Sequence, residues 1–249
     1  MFLAGYLMKN KLYLHIGLEK TGTTSFQNAI SKMQEDADIK NFSVDNSNQK
    51  LVASFILSSR KNNKWANRLL KNDKTNYFNE LLEFIKKNQS FDIIISSEHL
   101  SGRLFKDEIS LFLKSLSKYH NLDVLMVLRD NNSWMTSKYK EAIKNGFSGT
   151  LEDYQTDDGQ GFFARNDQRK IINDWENKFL DFYKLVVFNY SDHIVSDIFQ
   201  YLHLEMPIIH KKNISLRSDK SYEFVRFLNN FRLSQRKFMR LIIRKIFFQ

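Results

Sequence analysis

The fold is decided by the stretch Lys11–Ile30, which reads KLYLHIGLEKTGTTSFQNAI. Alternating apolar residues predict a strand over residues 12–17, and a helix is predicted from residue 23 to about residue 34. Gly17 and Gly22 hinge the loop that joins them. A strand, a glycine-hinged loop and a helix in this order are typical of sites that bind an anion with the backbone N–H groups of a helix N-terminus. We therefore expect an anionic ligand here.

The polar residues of this loop refine that expectation. Gly17 and Gly22 are five residues apart, as in the pattern G-x-x-x-x-G-K-[ST] of nucleotide-triphosphate loops. Thr23 follows Gly22 where that pattern has a lysine, and the lysine of this loop comes earlier, at Lys20. The loop therefore has the spacing of a triphosphate site without its lysine, but with a point charge inside it. The hydroxyls that follow are those of Thr23, Thr24 and Ser25.

The run Lys20–Ser25, KTGTTS, resembles the 5′-phosphosulfate loop of sulfotransferases, enzymes that move a sulfuryl group from 3′-phosphoadenosine 5′-phosphosulfate (PAPS) to a hydroxyl or amine. The lead-in His15-Ile16-Gly17 is similar to the bacterial, carbohydrate-type branch. The resemblance implies a three-layer, P-loop-like α/β fold, with a central, mostly parallel sheet flanked by helices and a C-terminal helical segment. It implies one sulfotransferase domain over residues 1–249 that requires no metal. The cofactor-binding residues implied in this loop are Gly17, Lys20, Thr21, Gly22, Thr23, Thr24 and Ser25.

A second segment, residues 121–146, has an apolar run, then Arg129, a polar turn and a helix that carries Ser137. In the family, an arginine at a strand end and a serine eight residues later hold the 3′-phosphate, and Arg129 and Ser137 have that spacing. A guanidinium can hold a phosphate with two hydrogen bonds, and a serine can add a third. The resemblance therefore assigns both residues to the 3′-phosphate. The alternatives are an ion pair of Arg129 with Asp130 or Glu141 and a helix-surface serine.

A third segment, Phe91–Gly102, predicts a strand over residues 92–96 that ends just before Glu98 and His99. In open α/β sheets, functional residues collect at the carboxyl ends of strands. Sulfuryl transfer needs a base that takes the proton of the acceptor hydroxyl. The family uses a carboxylate or a histidine after its second core strand, so Glu98 is the expected base, His99 the second choice and His15 the third. The alternative for Glu98 is a carboxylate that stabilises a helix N-terminus.

The segment before the last predicted helix is the main departure from the wider family. The bacterial branch has an Asn-x-Ser segment here, present as Asn213-Ile214-Ser215. By position it should help to close the nucleotide end of the cofactor. The glycine-rich basic motif of small-molecule and steroid sulfotransferases is absent, so further contacts with the 3′-phosphate stay open. The cofactor-binding residues implied here are Lys212, Asn213 and Ser215, and Lys211, Lys212 or Arg217 is expected nearest the 3′-phosphate.

The rest of the chain predicts alternating strands and helices. Strands are expected over 123–128 and 184–188, and residues 35–50 show no clear period. Residues 147–166 are expected to form a loop over the active site; the alternative is an ordinary surface loop. Helices are expected over about 50–59, 76–88, 106–118, 133–145, 167–180 and 192–202.

Composition limits the classes of function. The chain has 249 residues, a formal net charge of +10 and no cysteine, so disulfide and thiolate chemistry are excluded. The basic residues are spread along the chain without a nucleic-acid motif, and we expect no nucleic-acid partner. The positive electrostatic field of these residues would favour an anionic cofactor. The apolar start, MFLAGYLM, is too short for a membrane span and lacks a basic start, so we expect a cytoplasmic protein.

The last residues, 232–249, predict an amphipathic helix. Arg236, Arg240 and Arg244 share one side and apolar residues occupy another, a pattern typical of helices that lie on a membrane surface. This predicts peripheral contact with the inner face of the membrane. The alternative is a terminal helix that packs its apolar side on the domain.

Together the segments predict a PAPS-dependent sulfotransferase that modifies a hydroxyl of a glycan or glycolipid by in-line displacement. Lys20 is expected to be catalytic, because it can stabilise charge as the sulfur–oxygen bond breaks. One alternative is a P-loop kinase, disfavoured by Thr23 and by the lack of a strand-end aspartate after residues 93–95. The other is a non-catalytic binder of nucleotide or glycan on the same fold.

Overall fold

The computed structural model describes residues 9–33, 39–45, 48–60, 62–156, 167–176, 183–207 and 219–229. The strands in these ranges are β1 Lys11–His15, β2 Ile39–Phe42, β3 Asp92–Ser96, β4 Asn121–Leu128 and β5 Tyr183–Asn189. The helices are α1 Thr23–Ile30, α2 Gln49–Arg60, α3 Lys64–Leu69, α4 Tyr77–Lys87, α5 Glu98–Arg103, α6 Lys106–Leu116, α7 Asn131–Lys144, α8 Leu151–Gln155, α9 Gln168–Trp175, α10 Ile194–Tyr201 and α11 Asp219–Asn229.

The described strands form one sheet in the order β2-β3-β1-β4-β5, and every neighbouring pair is parallel. β1 is central: Leu12 lies beside Ile93 of β3 and Leu122 of β4. The predicted α/β fold with a parallel sheet flanked by helices is confirmed. Because all these strands run the same way, their carboxyl ends lie along one edge of the sheet, where the predicted site residues of β1, β3 and β4 meet.

Both faces of the sheet are covered. Leu12 and Leu14 are fully buried, and Tyr13 between them is also buried. Such continuous burial is typical of parallel strands with helices on both faces. On the face of Tyr13, α1 and α10 pack on the sheet in a single cluster that includes Phe26 and Phe199. The helix that follows the glycine loop is therefore fixed to the sheet by its own apolar side.

The described residues divide into two compact units. The first is drawn from residues 1–129 and 158–209, and the second from residues 130–157 and 210–249. In the second, Asn229 of α11 donates hydrogen bonds from its side-chain amide to the carbonyl oxygens of Ile143, at 2.8 Å, and Phe147, at 2.9 Å. These bonds tie α11 to the end of α7. The expectation of a single domain stays a prediction.

Four short elements were not expected from the sequence. They are β2, α3, α5 and α8, of which α8 lies inside the predicted loop 147–166 and is capped by Thr150, whose hydroxyl accepts from the N–H of Asp153 at 3.1 Å. The expected C-terminal helix over 232–249 lies outside the described residues. Within the described ranges, no helix is both long and apolar enough to cross a membrane.

Candidate anion-binding site at the carboxyl edge of the sheet

The loop after β1 lies at the carboxyl edge, between the ends of β3 and β4. β1 ends at His15 beside Ser96, the last residue of β3, and the N–H of Ser97 donates to the carbonyl oxygen of His15 at 2.9 Å. Arg129 follows the last residue of β4. The sheet therefore brings together residues from the three segments that the sequence singled out.

Two residues of the loop have left-handed backbones. Gly22 has φ +87°, which glycine adopts without steric cost, and Lys20 has φ +66°, which is uncommon for a residue with a side chain. Inside the turn, the hydroxyl of Thr21 donates to the carbonyl oxygen of Leu18. This bond and Gly22 explain why the sequence turns sharply here before α1 begins.

The N-terminus of α1 is open. Its N-cap is Gly22, no side chain caps the helix, and the first of its N–H groups to bond back is that of Phe26, to the carbonyl oxygen of Gly22 at 3.1 Å. The preceding N–H groups of a helix have no partner within it, and they carry the positive end of the helix dipole. α1 therefore offers an anion the backbone donors and hydroxyls of Thr23, Thr24 and Ser25.

His15 is buried beneath this loop. Its side chain is 1% exposed, its Nδ1 is 2.8 Å from Ser96 Oγ, and its ring packs on Phe26 with centroids 4.4 Å apart. Burial lowers the pKa of His15 to about 3, because a charged imidazole would lose its hydration there. His15 is therefore neutral at physiological pH.

The backbone of Gly17 lies close to two buried polar side chains. A Cβ on Gly17 would lie 2.9 Å from His15 Nε2 and 3.0 Å from Thr23 Oγ1. Both atoms are buried and have no hydrogen-bond partner among the residues that the structure describes. A side chain at position 17 would therefore clash with His15 and Thr23 unless they moved, which explains a glycine here.

Arg129 is joined to the loop. Its Nη1 donates to the carbonyl oxygen of Lys20 at 3.1 Å, and its guanidinium lies over the ring of Tyr190, 4.8 Å from the centroid. Gln168 donates from Nε2 to the carbonyl oxygen of Arg129, also at 3.1 Å. Tyr190 also lies 3.8 Å from the place of a Cβ on Gly22. The sequence did not indicate Tyr190 or Gln168, although Tyr190 directly follows the end of β5, where such residues collect.

The two candidate bases start α5. Glu98 is its first residue and is half-buried, a position where the helix dipole also favours a carboxylate, so both interpretations of Glu98 remain. Burial lowers the pKa of the neighbouring His99, and Arg103 acts in the same direction, while Glu19 and Asp45 oppose them. The ring of His99 packs on Trp65, with centroids 5.4 Å apart. His99 is a neutral, shielded imidazole near the loop residue Glu19.

For the remaining predicted site residues, the structure gives no contact with the loop. Ser137 is half-buried on α7, in the second compact unit, whereas Arg129 belongs to the first. The expected cofactor residues Lys212, Asn213 and Ser215 lie outside the described residues. Within the described ranges, no group of three or more His, Asp or Glu side chains could hold a metal ion.

An open groove lies on the α1 side of β3. Its lining combines amides and hydroxyls with little charge, and Gln27 and Asn48 both donate to the carbonyl oxygen of Ser96, at 3.2 and 3.1 Å. The groove thus adjoins the residue that contacts His15. Its other polar lining residues are Asn28, Ser31, Asn41 and Ser43.

This arrangement of sheet and loop is the fold of a sulfotransferase. A crystal structure of a sulfotransferase from Alicyclobacillus acidocaldarius matches it with a TM-score of 0.52, over 90% of this chain and 98% of that chain, at 11% sequence identity. At that identity the likeness shows the fold alone.

Two further solved structures match at lower similarity. A protein provisionally assigned as a kinase, from Chloroflexus aurantiacus, has a TM-score of 0.41 and 10% identity, over 79% of this chain and 98% of that one. A retinol dehydratase, solved with androsterone and the inactive cofactor PAP, has a TM-score of 0.36 and 9% identity, over 88% of this chain and 64% of that one. No protein-family model matches the chain, and no curated protein matches it significantly.

Proposed function

We propose that the protein is a PAPS-dependent sulfotransferase of the bacterial, carbohydrate type, which transfers a sulfuryl group to a hydroxyl of a glycan or glycolipid. The observation that carries the proposal is the open N-terminus of α1, preceded by a loop that holds Lys20 and is joined to Arg129. Backbone donors, one lysine and one arginine at the carboxyl edge of a parallel sheet are suited to an anionic nucleotide.

The residues present fit the donor. The uncapped N-terminus of α1 supplies backbone donors for the 5′-phosphosulfate, and the side chains of Thr24 and Ser25 in its first turn supply hydroxyls. PAPS supplies the sulfuryl group and leaves as the 3′,5′-bisphosphate (PAP). Arg129 and Ser137 are the proposed ligands of the 3′-phosphate, with Lys212, Asn213 and Ser215 closing the nucleotide end.

Lys20 and Glu98 have the proposed chemical roles. Glu98 takes the proton from the acceptor hydroxyl while the acceptor oxygen bonds to sulfur and the bond from sulfur to the bridging phosphate oxygen breaks. Lys20 stabilises the negative charge that this bond cleavage leaves on phosphate. His99 is the second candidate for the base, although its shielded ring, with a lowered pKa, is a weaker proton acceptor at neutral pH.

The groove beside β3 supports a hydroxyl-rich acceptor. Amides both donate and accept hydrogen bonds, as sugar hydroxyls do, and the groove lining is nearly free of charge. Asn28 and Asn41 are the amides of the lining whose side chains make no hydrogen bond within the part of the chain that the structure describes. Replacing both with alanine should raise the KM for the acceptor and leave the affinity for PAP unchanged.

The proposal is tested by calorimetric titration with PAP, beside ADP and ATP with and without magnesium. A preference for PAP that does not depend on magnesium would support the proposed cofactor. Transfer of sulfur-35 from labelled PAPS to a bacterial glycan extract would then establish the sulfotransferase activity. Preference for ATP with magnesium would replace it with the kinase function. PAP binding without transfer to any acceptor would leave a nucleotide-binding protein on this fold.

A further inference from the structure

The peptide unit between Ser96 and Ser97 has both of its polar atoms held by residues that are distant in the sequence. The N–H of Ser97 donates to the carbonyl oxygen of His15 at 2.9 Å. The carbonyl oxygen of Ser96 accepts from the side-chain amides of Gln27, at 3.2 Å, and Asn48, at 3.1 Å. A carbonyl oxygen has two lone pairs, so these donors use its full capacity. Three hydrogen bonds therefore fix the orientation of this peptide.

This peptide leads directly into α5, whose first residue is the proposed base, Glu98. The helix has six residues, and no side chain caps its N-terminus. A helix this short has little stability of its own, so its direction depends on the groups that hold its ends. Because only Ser97 separates the held peptide from Glu98, the hydrogen bonds to this peptide set where α5 begins and where Glu98 lies.

Asn48 links the ends of two strands as well as holding this peptide. It is 3% exposed and has a left-handed backbone, with φ +51°, which asparagine adopts more readily than most residues. Its amide also donates to the carbonyl oxygen of Phe42 at 3.1 Å, and its Oδ1 accepts from the N–H of Val44 at 2.8 Å. Asn48 is therefore part of the structure of the sheet edge, where β2 and β3 end.

Gln27 has a more specialised position. It is half-buried on α1, and within the part of the chain that the structure describes its side chain makes no hydrogen bond other than the one to Ser96. Gln27 and Ser96 both line the groove proposed for the acceptor. One side chain therefore joins the groove to the peptide that precedes Glu98.

We propose that Gln27 is a positioning residue for Glu98. One hydrogen of its side-chain amide holds the Ser96–Ser97 peptide, and this peptide fixes the start of α5 so that the carboxylate of Glu98 meets an acceptor hydroxyl bound in the groove. Gln27 itself takes no proton. The inference rests on the proposed function, in which Glu98 is the base, whereas the hold of Gln27 on the peptide is independent of that function.

Gln27→Met tests this role, because methionine keeps the length and helix propensity of glutamine and removes the donor. Transfer of sulfur-35 from labelled PAPS to the glycan extract, measured over a dilution series of the extract, separates the maximal rate from the half-saturating amount of acceptor. We expect the maximal rate to fall about tenfold, as when a reacting group is misplaced, with the affinity for PAP unchanged. A maximal rate within twofold of wild type would overturn the inference.

A double-mutant cycle with Glu98→Gln measures whether Gln27 acts through Glu98. A positioning residue has no effect without the group that it positions, so Gln27→Met should change the maximal rate little once the carboxylate is absent. Equal fractional losses in the presence and absence of Glu98 would contradict the proposal.

Gln89→Met is the matched control. Gln89 also donates from its side-chain amide to a backbone carbonyl, that of Lys86, but it lies shortly before β3, at the amino end of this strand. This variant should keep the wild-type maximal rate. A loss equal to that of Gln27→Met would show that the effect is not specific to the peptide before Glu98.

Amide hydrogen exchange at Ser97 gives a readout that needs no activity. Loss of the donor from Gln27 should speed exchange of the Ser97 N–H about fivefold, as for one lost hydrogen bond, and Gln89→Met should leave it unchanged. Wild-type exchange in Gln27→Met would refute the hold on the peptide. Faster exchange in Gln27→Met, in a protein whose wild type transfers no label, would reject the proposed function and leave that hold in place.

Thermal unfolding of each variant identifies any that fails to fold. If Gln27→Met does so, Asn48→Asp provides the test, because aspartate keeps an acceptor for the N–H of Val44 and tolerates the positive φ but donates nothing to Ser96. It should lower the maximal rate and speed exchange at Ser97 in the same way. Wild-type values of both would then overturn the inference.

Discussion

Arg129 donates a hydrogen bond from its Nη1 to the backbone carbonyl oxygen of Lys20, at 3.1 Å. Lys20 has a left-handed backbone, and its carbonyl oxygen faces the end of β4, so the arginine holds the loop in a conformation that the chain would otherwise adopt rarely. Arg129 thus has a role in the loop that is separate from the proposed contact with the 3′-phosphate.

The two roles of Arg129 predict different ligand dependences. We expect Arg129→Ala to weaken the binding of every anionic nucleotide, because the loop loses the hydrogen bond from Arg129 to the carbonyl oxygen of Lys20. If Arg129 also contacts the 3′-phosphate, PAP should weaken by a further factor of about ten relative to AMP, which lacks that phosphate. Calorimetry with both nucleotides measures the difference. Equal losses for PAP and AMP would restrict Arg129 to the loop.

Lys20 should affect turnover more than binding. Removal of its ammonium group should reduce kcat by about 10²–10³, the range found when one group that stabilises developing charge is lost, with a smaller effect on the Kd for PAP. Lys20→Gly is the matched variant for Lys20→Ala, because glycine adopts the positive φ of this position without strain. Similar losses in both variants would assign the effect to charge. Near-normal turnover in Lys20→Gly would remove Lys20 from the chemistry.

The base should be identified by comparing Glu98→Gln with His99→Gln. We expect Glu98→Gln to reduce kcat by about 10²–10⁴ with PAP affinity intact, since it keeps the shape and removes the proton acceptor. His99→Gln should have a much smaller effect, because burial already disfavours its protonated form. The pH dependence of kcat in each variant is the measurement. A larger loss in His99→Gln would exchange the two roles.

Burial of His15 predicts a loss of stability in acid. Its pKa is about 3 in the folded protein and 6.5 in the unfolded chain, so between these pH values the unfolded chain binds a proton that the folded protein does not bind. The stabilising contribution is complete above pH 6.5 and is lost as the pH falls toward 3; at pH 5 the loss is about 2 kcal/mol. His99 and His120 act in the same direction.

Urea unfolding of wild type and His15→Phe at pH 7.5 and pH 5 isolates this effect. The free energy of unfolding should fall less between these pH values in the variant than in the wild type. His193→Gln, at an exposed position before α10, should keep the wild-type difference. Identical pH dependence in wild type and His15→Phe would mean that His15 is accessible to protons in the folded state.

Peripheral membrane contact through residues 232–249 stays a prediction from the sequence. Flotation of the full chain and of a chain truncated at Ser234, with vesicles that contain anionic lipid, measures it directly. We expect the full chain to float and the truncated chain not to, with the difference reduced in high salt. Equal recovery of both chains would assign the apolar side of this segment to packing within the protein.

The sequence predicted the elements that frame the site because their patterns are strong. β1, β3 and β4 are runs of buried apolar residues, and Gly22 marks the start of α1. β2 was missed because it has four residues at the sheet edge, and its two central residues, Lys40 and Asn41, are polar. A strand this short has no alternation from which it could be recognised.

Which side chains touch could not be predicted, because those contacts join distant parts of the chain. Arg129 was placed at a strand end, but its bond to Lys20 spans 109 residues. Likewise, the hydrogen bond between His15 Nδ1 and Ser96 Oγ joins residues 81 positions apart, and only the register of β1 and β3 brings them together. Local sequence patterns do not predict the register between two strands that lie far apart in the chain.

The central place of β1 has a consequence for how the protein is made. β1, the first of the described strands, is flanked on both sides by strands that are synthesised much later, since β3 begins at Asp92 and β4 at Asn121. The β4 side of β1 therefore stays unpaired until residue 128 has left the ribosome, and pairing across so long a segment is slow. Ligand binding should then be absent from every C-terminal truncation that ends before β4 and Arg129.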